Sequence, residues 1–314
     1  MSAAVARALA WLAVPLWLAL PALASGSTLN LVVFALITLL QAIGLSLLFG
    51  YGGQISLGQA GFYGIGAYVA AWLSTRTGLP VLLDVLLAVL VPAALGYGVG
   101  RPVLRLRGYT LAMVTAALGL ILHTVFTEWS SVTGGYSGIT GIPPLGIGTL
   151  TADSTSASYY VIGVVAFVVL WLAFRLVRTA YGLAMRTMRE SEPAARSVGI
   201  DVPGLKAEVF GLSAGLSGLA GALYAHYVGY ISPDSFTIDA SVNLLLALVV
   251  GGIGSLWGAV LGAFLLTFLP QWLHSLQNAY GLVFGGLVIV LLIVEPGGLL
   301  GVFRRAIRAG APAG

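Results

Sequence analysis

A succession of long apolar runs limits how this chain can fold more than any other feature of its sequence. A helix that crosses the hydrocarbon core of a bilayer, about 30 Å thick, needs about 20 predominantly apolar residues. Runs of about this length lie at 9–24, 30–49, 55–73, 80–100, 109–128, 158–177, 207–228, 242–257, 259–278 and 281–300. Charged residues make up only 8% of the 314 residues, against about a quarter in a soluble domain. The sequence therefore predicts an all-α polytopic membrane protein, a single transmembrane domain over residues 1–314 with about ten transmembrane helices.

The positions of the basic residues predict the orientation of these spans. Lysines and arginines close to span ends are retained on the cytoplasmic side. With the N-terminus inside, all 14 lysines and arginines except Arg76 fall on that side. We therefore expect a multi-pass protein of a bacterial inner membrane, surrounded by lipid, with both termini in the cytoplasm. Residues 1–24 fit either an uncleaved first helix or a secretory signal ending at Ala22-Leu23-Ala24, and both leave the remaining topology unchanged.

Several kinds of chemistry have no support in the sequence. The chain has no cysteine, which excludes disulfides, thiolate metal sites and a cysteine nucleophile. A phosphate-binding loop needs a lysine after its glycines, followed by Ser or Thr, but the one lysine, Lys206, lies in GLKAEV. His123, His226 and His274 have no metal-ligand spacing. We therefore predict no catalytic residue, no metal and no cofactor in this chain, and no nucleic-acid partner.

Acidic residues give little support to coupling with an ion gradient. Secondary transporters and proton pumps place ionisable groups at mid-membrane depth. Here Asp84 and Glu128 lie near span ends, and Glu295 precedes Pro296 near the inner surface.

The run GYGGQISLGQAGFYGIGAYVAAW, residues 50–72, is unusual for a lipid-facing helix. Glycine destabilises helices, and polar side chains in lipid need partners. Irregular backbone at membrane depth is tolerated only where it is buried in protein or lines a wet cavity. One interpretation is a broken segment that lines the transport pathway or re-enters the membrane, and the other is close helix packing. The residues concerned are Gln54, Ser56, Gly58, Gln59 and Gly61.

Two further glycine patterns predict close contacts between helices. At 100° per residue, Gly211, Gly215 and Gly218 share one helix face, and small residues on one face allow membrane helices to approach closely. In GGIGSLWGAVLGAF, Gly254 and Gly258 begin a second ridge with a four-residue repeat that continues at Gly262. The segments 50–72 and 251–264 also suggest an internal duplication.

Two segments between spans are long enough to act outside the hydrocarbon core. The periplasmic one, about 129–157, is rich in Gly, Ser, Thr and Pro. In the cytoplasmic one, about 178–206, we expect an amphipathic helix followed by a second short helix that begins near Pro193 and ends at Gly199. Such a charged two-helix loop fits either a solvated surface or an element that docks into a cleft of another protein.

Several of these motifs, taken in order, resemble one family. GYGGQISLGQAGFYGIGAY, RGYTLAMVTAALG, TGGYSGITGIP, YGLAMRTMRESEPAARSVGIDVPGLK, SVNLLLALVVGGIGSLWGAVLGA and GGLVIVLLIVEPGGLLG resemble the permease subunits of branched-chain amino-acid ABC importers, of the LivM type. The likeness runs from about residue 30 to 302, whereas the first 29 residues match only in being hydrophobic.

The resemblance implies an ABC importer permease fold and a set of partners. These are a second related permease of the LivH type, two cytoplasmic ATPase subunits that bind the ATP, and a periplasmic substrate-binding protein. It also implies a coupling helix that docks in a groove of an ATPase, within Tyr181–Gly199. There ESEPAARSVGI resembles the acidic-Ala-Ala…Gly pattern of importer permeases, with Pro193 as a departure. The coupling residues would be Arg186, Arg189, Glu190, Glu192, Ala194, Ala195 and Gly199.

The substrate is less well indicated than the class of transporter. The resemblance implies branched-chain or related amino acids, and permeases for urea and short amides belong to the same wider family. A membrane-embedded enzyme would need ionisable groups converging at one depth, and a membrane anchor would not need polar glycine segments such as 50–61. ATPase and binding-protein chains that co-purify with this one would separate the importer from both.

Overall fold

The computed structural model describes residues 24–103, 108–147, 150–152 and 154–272, with the single positions 17, 20, 21, 285, 286, 298, 299 and 301. Most of the described chain is helical. The α-helices are α1 Gly26–Leu45, α2 Gln59–Arg76, α3 Val81–Val103, α4 Gly108–Glu128, α5 Ser130–Thr133, α6 Thr155–Leu176, α7 Ala180–Glu190, α8 Glu192–Ser197, α9 Val202–Val228, α10 Ile238–Gly251 and α11 Leu256–Trp272. The strands are β1 Ile139–Thr140, β2 Gly146–Ile147, β3 Leu150–Thr151 and β4 Tyr230–Ile231.

In the part of the chain that the structure describes, five helices are long and apolar enough to cross a membrane. They are α1 with its continuation to Tyr51, α3, α4, α6 and α9, and α10 and α11 are shorter apolar helices. The long buried helix α2 matches the predicted span 55–73, although its helix begins only at Gln59. These helices support a polytopic membrane protein. The count of ten stays a prediction, because the predicted spans 9–24 and 281–300 lie almost entirely outside the described residues.

The boundary between α10 and α11 differs from the predicted one. The expected spans were 242–257 and 259–278, but α10 ends at Gly251 and α11 begins at Leu256. The cause is local, because Gly252 has φ 121° and Gly254 has φ 84°, values that glycine adopts readily and that interrupt a helix. Gly254 therefore lies in a turn, and the predicted glycine ridge is wrong at its first position.

Helix α9 lies at the centre of the fold. It packs against α1, α2 and α3, and 78% of its most apolar window is buried, against 22% for α3. Three glycines allow the approach to α3, since a Cβ at Gly211 would lie 2.9 Å from the Ala93 carbonyl oxygen and one at Gly218 would lie 2.6 Å from Cγ of Pro92. Gly215 faces Ala93 in the same groove. Within a bilayer the hydrophobic effect does not drive helices together, so their association depends on such close contacts.

Two small antiparallel sheets lie between the long helices. β1 pairs with β4, so the segment after α4 is joined to the connection between α9 and α10. β2 pairs with β3 within the same segment.

Candidate functional site

The helix α1 does not end in a regular turn but continues as a π-helix over Ser46–Tyr51. The Gly52 N–H donates to the Leu47 carbonyl over 2.9 Å, and the Gln54 N–H donates to the Leu48 carbonyl over 3.1 Å. Gly53, at φ 69°, then turns the chain out of the helix. Short π-helical stretches are uncommon and occur frequently at functional sites. The segment Gly52–Gly58, here named the glycine loop, joins this π-helix to α2.

The start of α2 is held by hydroxyl groups from two other helices. The Leu57 N–H donates to Oγ1 of Thr115 on α4 over 3.0 Å. The Ala60 N–H donates to Oγ of Ser241 on α10 over 2.9 Å. Within the loop, the Gly58 N–H donates to Oγ of Ser56 over 3.3 Å. The backbone amides of Leu57, Gly58 and Ala60 at this helix start are therefore already paired.

Gln59 is buried and hydrogen-bonded at both ends of its amide. Its Nε2 donates to Oγ of Ser213 over 3.1 Å, and Oγ of Ser217 donates to its Oε1 over 2.7 Å. Both serines lie on α9. The amide therefore fastens the first turn of α2 to the central helix.

Gln54, five residues earlier, is equally buried but unpaired. Its side chain is 3% exposed, and neither Oε1 nor Nε2 has a hydrogen-bond partner among the described residues. Burying an unpaired amide costs about 1–3 kcal/mol on the scale of protein mutational data. Further along the same segment, the Tyr68 hydroxyl is also buried without a partner among the described residues, but within the glycine loop Gln54 is the side chain in this state.

The glycines at the start of α2 make close contacts with α4. A Cβ at Gly58 would lie 2.8 Å from the Thr115 carbonyl oxygen, and one at Gly61 would lie 2.7 Å from Cδ1 of Leu122. A Cβ at Gly66 would meet the backbone of Gly218 on α9. Beyond Gln59, α2 is an unbroken helix, so here the glycines serve close packing and the irregular backbone is confined to the glycine loop.

The segment 178–206 folds into two short helices, α7 and α8. Ser191 accepts a hydrogen bond from the Ala194 N–H and begins α8. Gly199, at φ 83°, ends it as predicted. Met185, Met188 and Ala195 face the core, whereas Leu183 and Val198 are 65% and 71% exposed. The two helices therefore bury one apolar side and expose two apolar side chains among charged ones on the other.

Three of the four charged residues predicted in this loop have partners within the chain. Arg189 Nη1 donates to the Gly50 carbonyl oxygen, and the Arg186 guanidinium lies over the Tyr51 ring, 5.2 Å from its centroid. Glu192 forms an ion pair with Lys206. Glu190 is exposed, as is Ala194. Arg186 and Arg189 thus contact the end of the π-helix, a link that spacing in the sequence could not indicate.

Tyr181 adds a connection from α7 to α9. Burial raises the pKa of its hydroxyl above the ordinary value, and the neighbouring Glu208 carboxylate, which accepts a hydrogen bond from it, raises that pKa further. The hydroxyl therefore stays protonated and serves as a donor. The sequence did not predict that Lys206 and Glu208 are the partners of this loop.

The acid Asp84 lies in the first turn of α3, near a span end as the sequence indicates. It is fully buried, and its oxygens have no hydrogen-bond partner among the described residues. It is remote from the glycine loop, because α2 separates the two by roughly 25 Å at 1.5 Å per residue. In the described part of the chain, no three His, Cys, Asp or Glu side chains cluster as metal ligands would.

Comparison with known proteins assigns the chain to a family. A family model described as the permease component of branched-chain amino acid transport systems matches residues 27–293. The chain is 32% identical to the high-affinity branched-chain amino acid transport system permease protein LivM of Escherichia coli, over 92% of this chain and 73% of that protein. It is 30% identical to BraD of Pseudomonas aeruginosa, a permease protein with the same description, over 83% of this chain and 91% of that protein.

A related permease of a second type is also similar. LivH of Escherichia coli is 27% identical over 83% of this chain and 90% of that protein. The comparison with solved structures gives no match. The match to the family model covers well over half of the chain, and the chain belongs to the family of branched-chain amino acid transport permease components.

Proposed function

We propose that this chain is the permease subunit of an ATP-driven importer of branched-chain or related amino acids. It would form half of the translocation path together with a second permease of the LivH type. The observation that carries the proposal is family membership over residues 27–293. Similarity to permeases named LivM and LivH alike supports a paired arrangement.

In this proposal the energy comes from two separate ATPase subunits. The sequence has no phosphate-binding loop of its own, since its one lysine lacks the required context. A binding protein on the opposite side of the membrane would deliver and select the substrate. We further propose ten spans, an inner-membrane location and cytoplasmic termini, for which the distribution of arginines gives the support.

The α7–α8 surface is our candidate for the ATPase contact. Arg186 and Arg189 are also exposed but contact the π-helix. Other exposed side chains of this surface are free to meet a second protein: Leu183, Glu190, Ala194 and Val198. An exposed apolar pair on a short two-helix element fits insertion into a groove.

Cross-linking tests this surface. Glu190→Cys and Val198→Cys should each cross-link to an ATPase chain in native membranes, whereas the buried control Met185→Cys should not. Labelling of position 198 from the periplasmic side alone would contradict both the topology and the role.

The glycine loop is our candidate for the part of the path that this chain contributes. Its support is the buried amide of Gln54, whose donors and acceptor are unused by the described residues. The substrate is held weakly in this proposal, because the sequence places no charged pair in the spans to clamp an ammonium and a carboxylate.

Reconstitution tests the function as a whole. Liposomes that contain both permeases and the ATPases, with the binding protein outside, should accumulate leucine, isoleucine or valine when ATP is supplied inside and no ion gradient is applied. Uptake by this chain alone, driven by a proton or sodium gradient, would overturn the proposal.

A further inference from the structure

Arg189 lies where three segments of the chain meet. Its Nη1 donates to the carbonyl of Gly50 at the end of the π-helix. The same nitrogen lies 3.1 Å from the position that a Cβ at Gly254 would occupy, and Cγ of Arg189 lies 2.8 Å from the corresponding position at Gly53. A single side chain of α7 therefore touches the glycine loop and the turn between α10 and α11.

The glycine loop and the turn between α10 and α11, here named the two glycine breaks, have similar sequences and backbone conformations. The first reads Gly-Gly-Gln-Ile-Ser-Leu over residues 52–57, and the second reads Gly-Gly-Ile-Gly-Ser-Leu over 251–256. In each, the second glycine has positive φ, 69° at Gly53 and 121° at Gly252, and a new helix begins at or shortly after the leucine. The end of the π-helix, just before the first break, also touches the second break, because a Cβ at Gly50 would lie 3.0 Å from the Gly254 nitrogen.

The chemistry of the contact suits a guanidinium. The last carbonyls of a helix have no partner within it and carry the negative end of its dipole, so a cation there is stabilising. Arginine offers several donors in a rigid plane, whereas lysine offers a point charge. The absence of side chains at Gly50, Gly53 and Gly254 lets the guanidinium approach the backbone directly.

The other contacts of α7 and α8 join them to a different part of the chain. Glu192 with Lys206, and Tyr181 with Glu208, join them to the start of α9, which already follows them directly in the chain. Gly50 is 139 residues from Arg189 in sequence, and the glycine loop begins two residues after Gly50, so a displacement of α7 reaches this region only through non-covalent contact. The Arg186 guanidinium over the Tyr51 ring is a second non-covalent contact between α7 and the end of the π-helix.

We infer that Arg189 is a positioning residue that transmits movement of α7 to both glycine breaks, and so sets the conformation of the glycine loop. Because glycine adopts both signs of φ, the two breaks are the places where the backbone can rotate without steric strain. The inference rests on the proposed function, in which an ATPase moves α7.

The test uses the complete transporter in liposomes and measures amino acid transported per ATP hydrolysed. Arg189→Gln should leave the complex assembled and hydrolysing ATP while transport per ATP falls about tenfold, the effect expected for one charge-assisted hydrogen bond. Arg189→Lys should recover part of the ratio, because an ammonium can still donate to Gly50. Arg178→Gln, which removes an exposed charge just before α7, should leave the ratio unchanged.

A second measurement follows the loop itself. Hydrogen exchange of amides 52–58 should change when nucleotide binds to the wild-type complex and should stop changing in Arg189→Gln, while exchange at the start of α9 still responds. A normal transport ratio in Arg189→Gln would overturn the inference, as would loss of the ATPase subunits from that variant. A wild-type complex that fails to transport would instead count against the proposed function.

Discussion

The glycine loop and the helix α2 that follows it differ in how they accommodate a buried glutamine side chain. Each buries a glutamine, Gln59 at 1% and Gln54 at 3% exposure. The amide of Gln59 is satisfied by two serines of α9, whereas that of Gln54 has no partner among the described residues. In a buried site, an amide with hydrogen-bond partners fixes a contact between helices, whereas an amide without partners lowers the stability of the fold. A polar group kept at that cost within a membrane protein is a candidate functional residue.

The difference separates a fixed part of the molecule from a part that can change. Helix α2 is held by backbone-to-backbone contacts through Gly66 and by the Ser241 hydroxyl of α10, and the Thr115 hydroxyl of α4 holds the last part of the glycine loop at Leu57. The glycine loop has a residue at positive φ, an unpaired amide and a guanidinium from α7. We expect substitutions in α2 to act on stability and substitutions in the loop to act on transport.

The largest effect is expected at the crossing of α2 and α9. Gly66→Leu places a side chain on the Gly218 backbone, and neither helix can withdraw without losing its other contacts. The variant should yield little folded permease, measured as the monodisperse fraction in detergent. Gly98→Leu on α3 is the control, because a Cβ there meets nothing within 4 Å; similar yields from the two variants would refute the close-packing argument.

A smaller loss is expected for Gln59→Met, which keeps the volume but removes the amide. Ser213 and Ser217 would each lose a partner, at about 1–3 kcal/mol for buried polar groups left unsatisfied. Thermal melting of the purified permease should show a clear drop in midpoint. An unchanged midpoint would mean that the hydrogen bonds of Gln59 contribute nothing net.

The anchor of α2 on α10 should contribute less again. Ser241→Ala removes the acceptor of the Ala60 N–H and should cost about 1 kcal/mol, as for the loss of a helix N-cap. Ser74→Ala, whose hydroxyl donates only to a carbonyl of its own helix, should melt like the wild type. Equal changes in melting midpoint for Ser241→Ala and Ser74→Ala would show that the hydrogen bond to α10 contributes no more to stability than one within a helix.

The smallest effect on stability is expected for Gln54→Met. Removing an amide that has no partner takes away an unfavourable burial, so the melting midpoint should hold or rise slightly. Transport should nevertheless fall in the reconstituted complex. A normal transport rate would show that the unpaired amide has no part in the path, and a lowered midpoint would show that it has a partner after all.

Much of the scaffold follows from local patterns in the sequence. Apolar runs located α1, α3, α4, α6 and α9 to within a few residues, because length and hydropathy decide a membrane helix. The face of α9 that carries Gly211, Gly215 and Gly218 follows from the helical period alone. The end of α8 at Gly199 follows from the conformational freedom of that residue.

The contacts that distinguish one polar residue from another do not follow from such patterns. Nothing local distinguishes Gln54 from Gln59, since the difference depends on serines more than 150 residues away. The sequence predicts Arg186 and Arg189 as coupling residues but does not indicate their contacts with Tyr51 and Gly50, because these residues lie more than 130 positions away. The prediction was wrong for the end of α10 and the start of α11, because the pair Gly251-Gly252 within an apolar run is compatible with both a helix and a turn.

The long separation of Gln59 from its partners has a consequence for how the protein is made. Ribosomes add about 5–20 residues per second, so the 154 residues between Gln59 and Ser213 require roughly 10–30 s of synthesis. During that time α2 leaves the ribosome with a polar amide and a row of glycines but without the helix that covers them. The contact that fastens α2 can therefore form only after most of the described chain, up to the central helix α9, has been made.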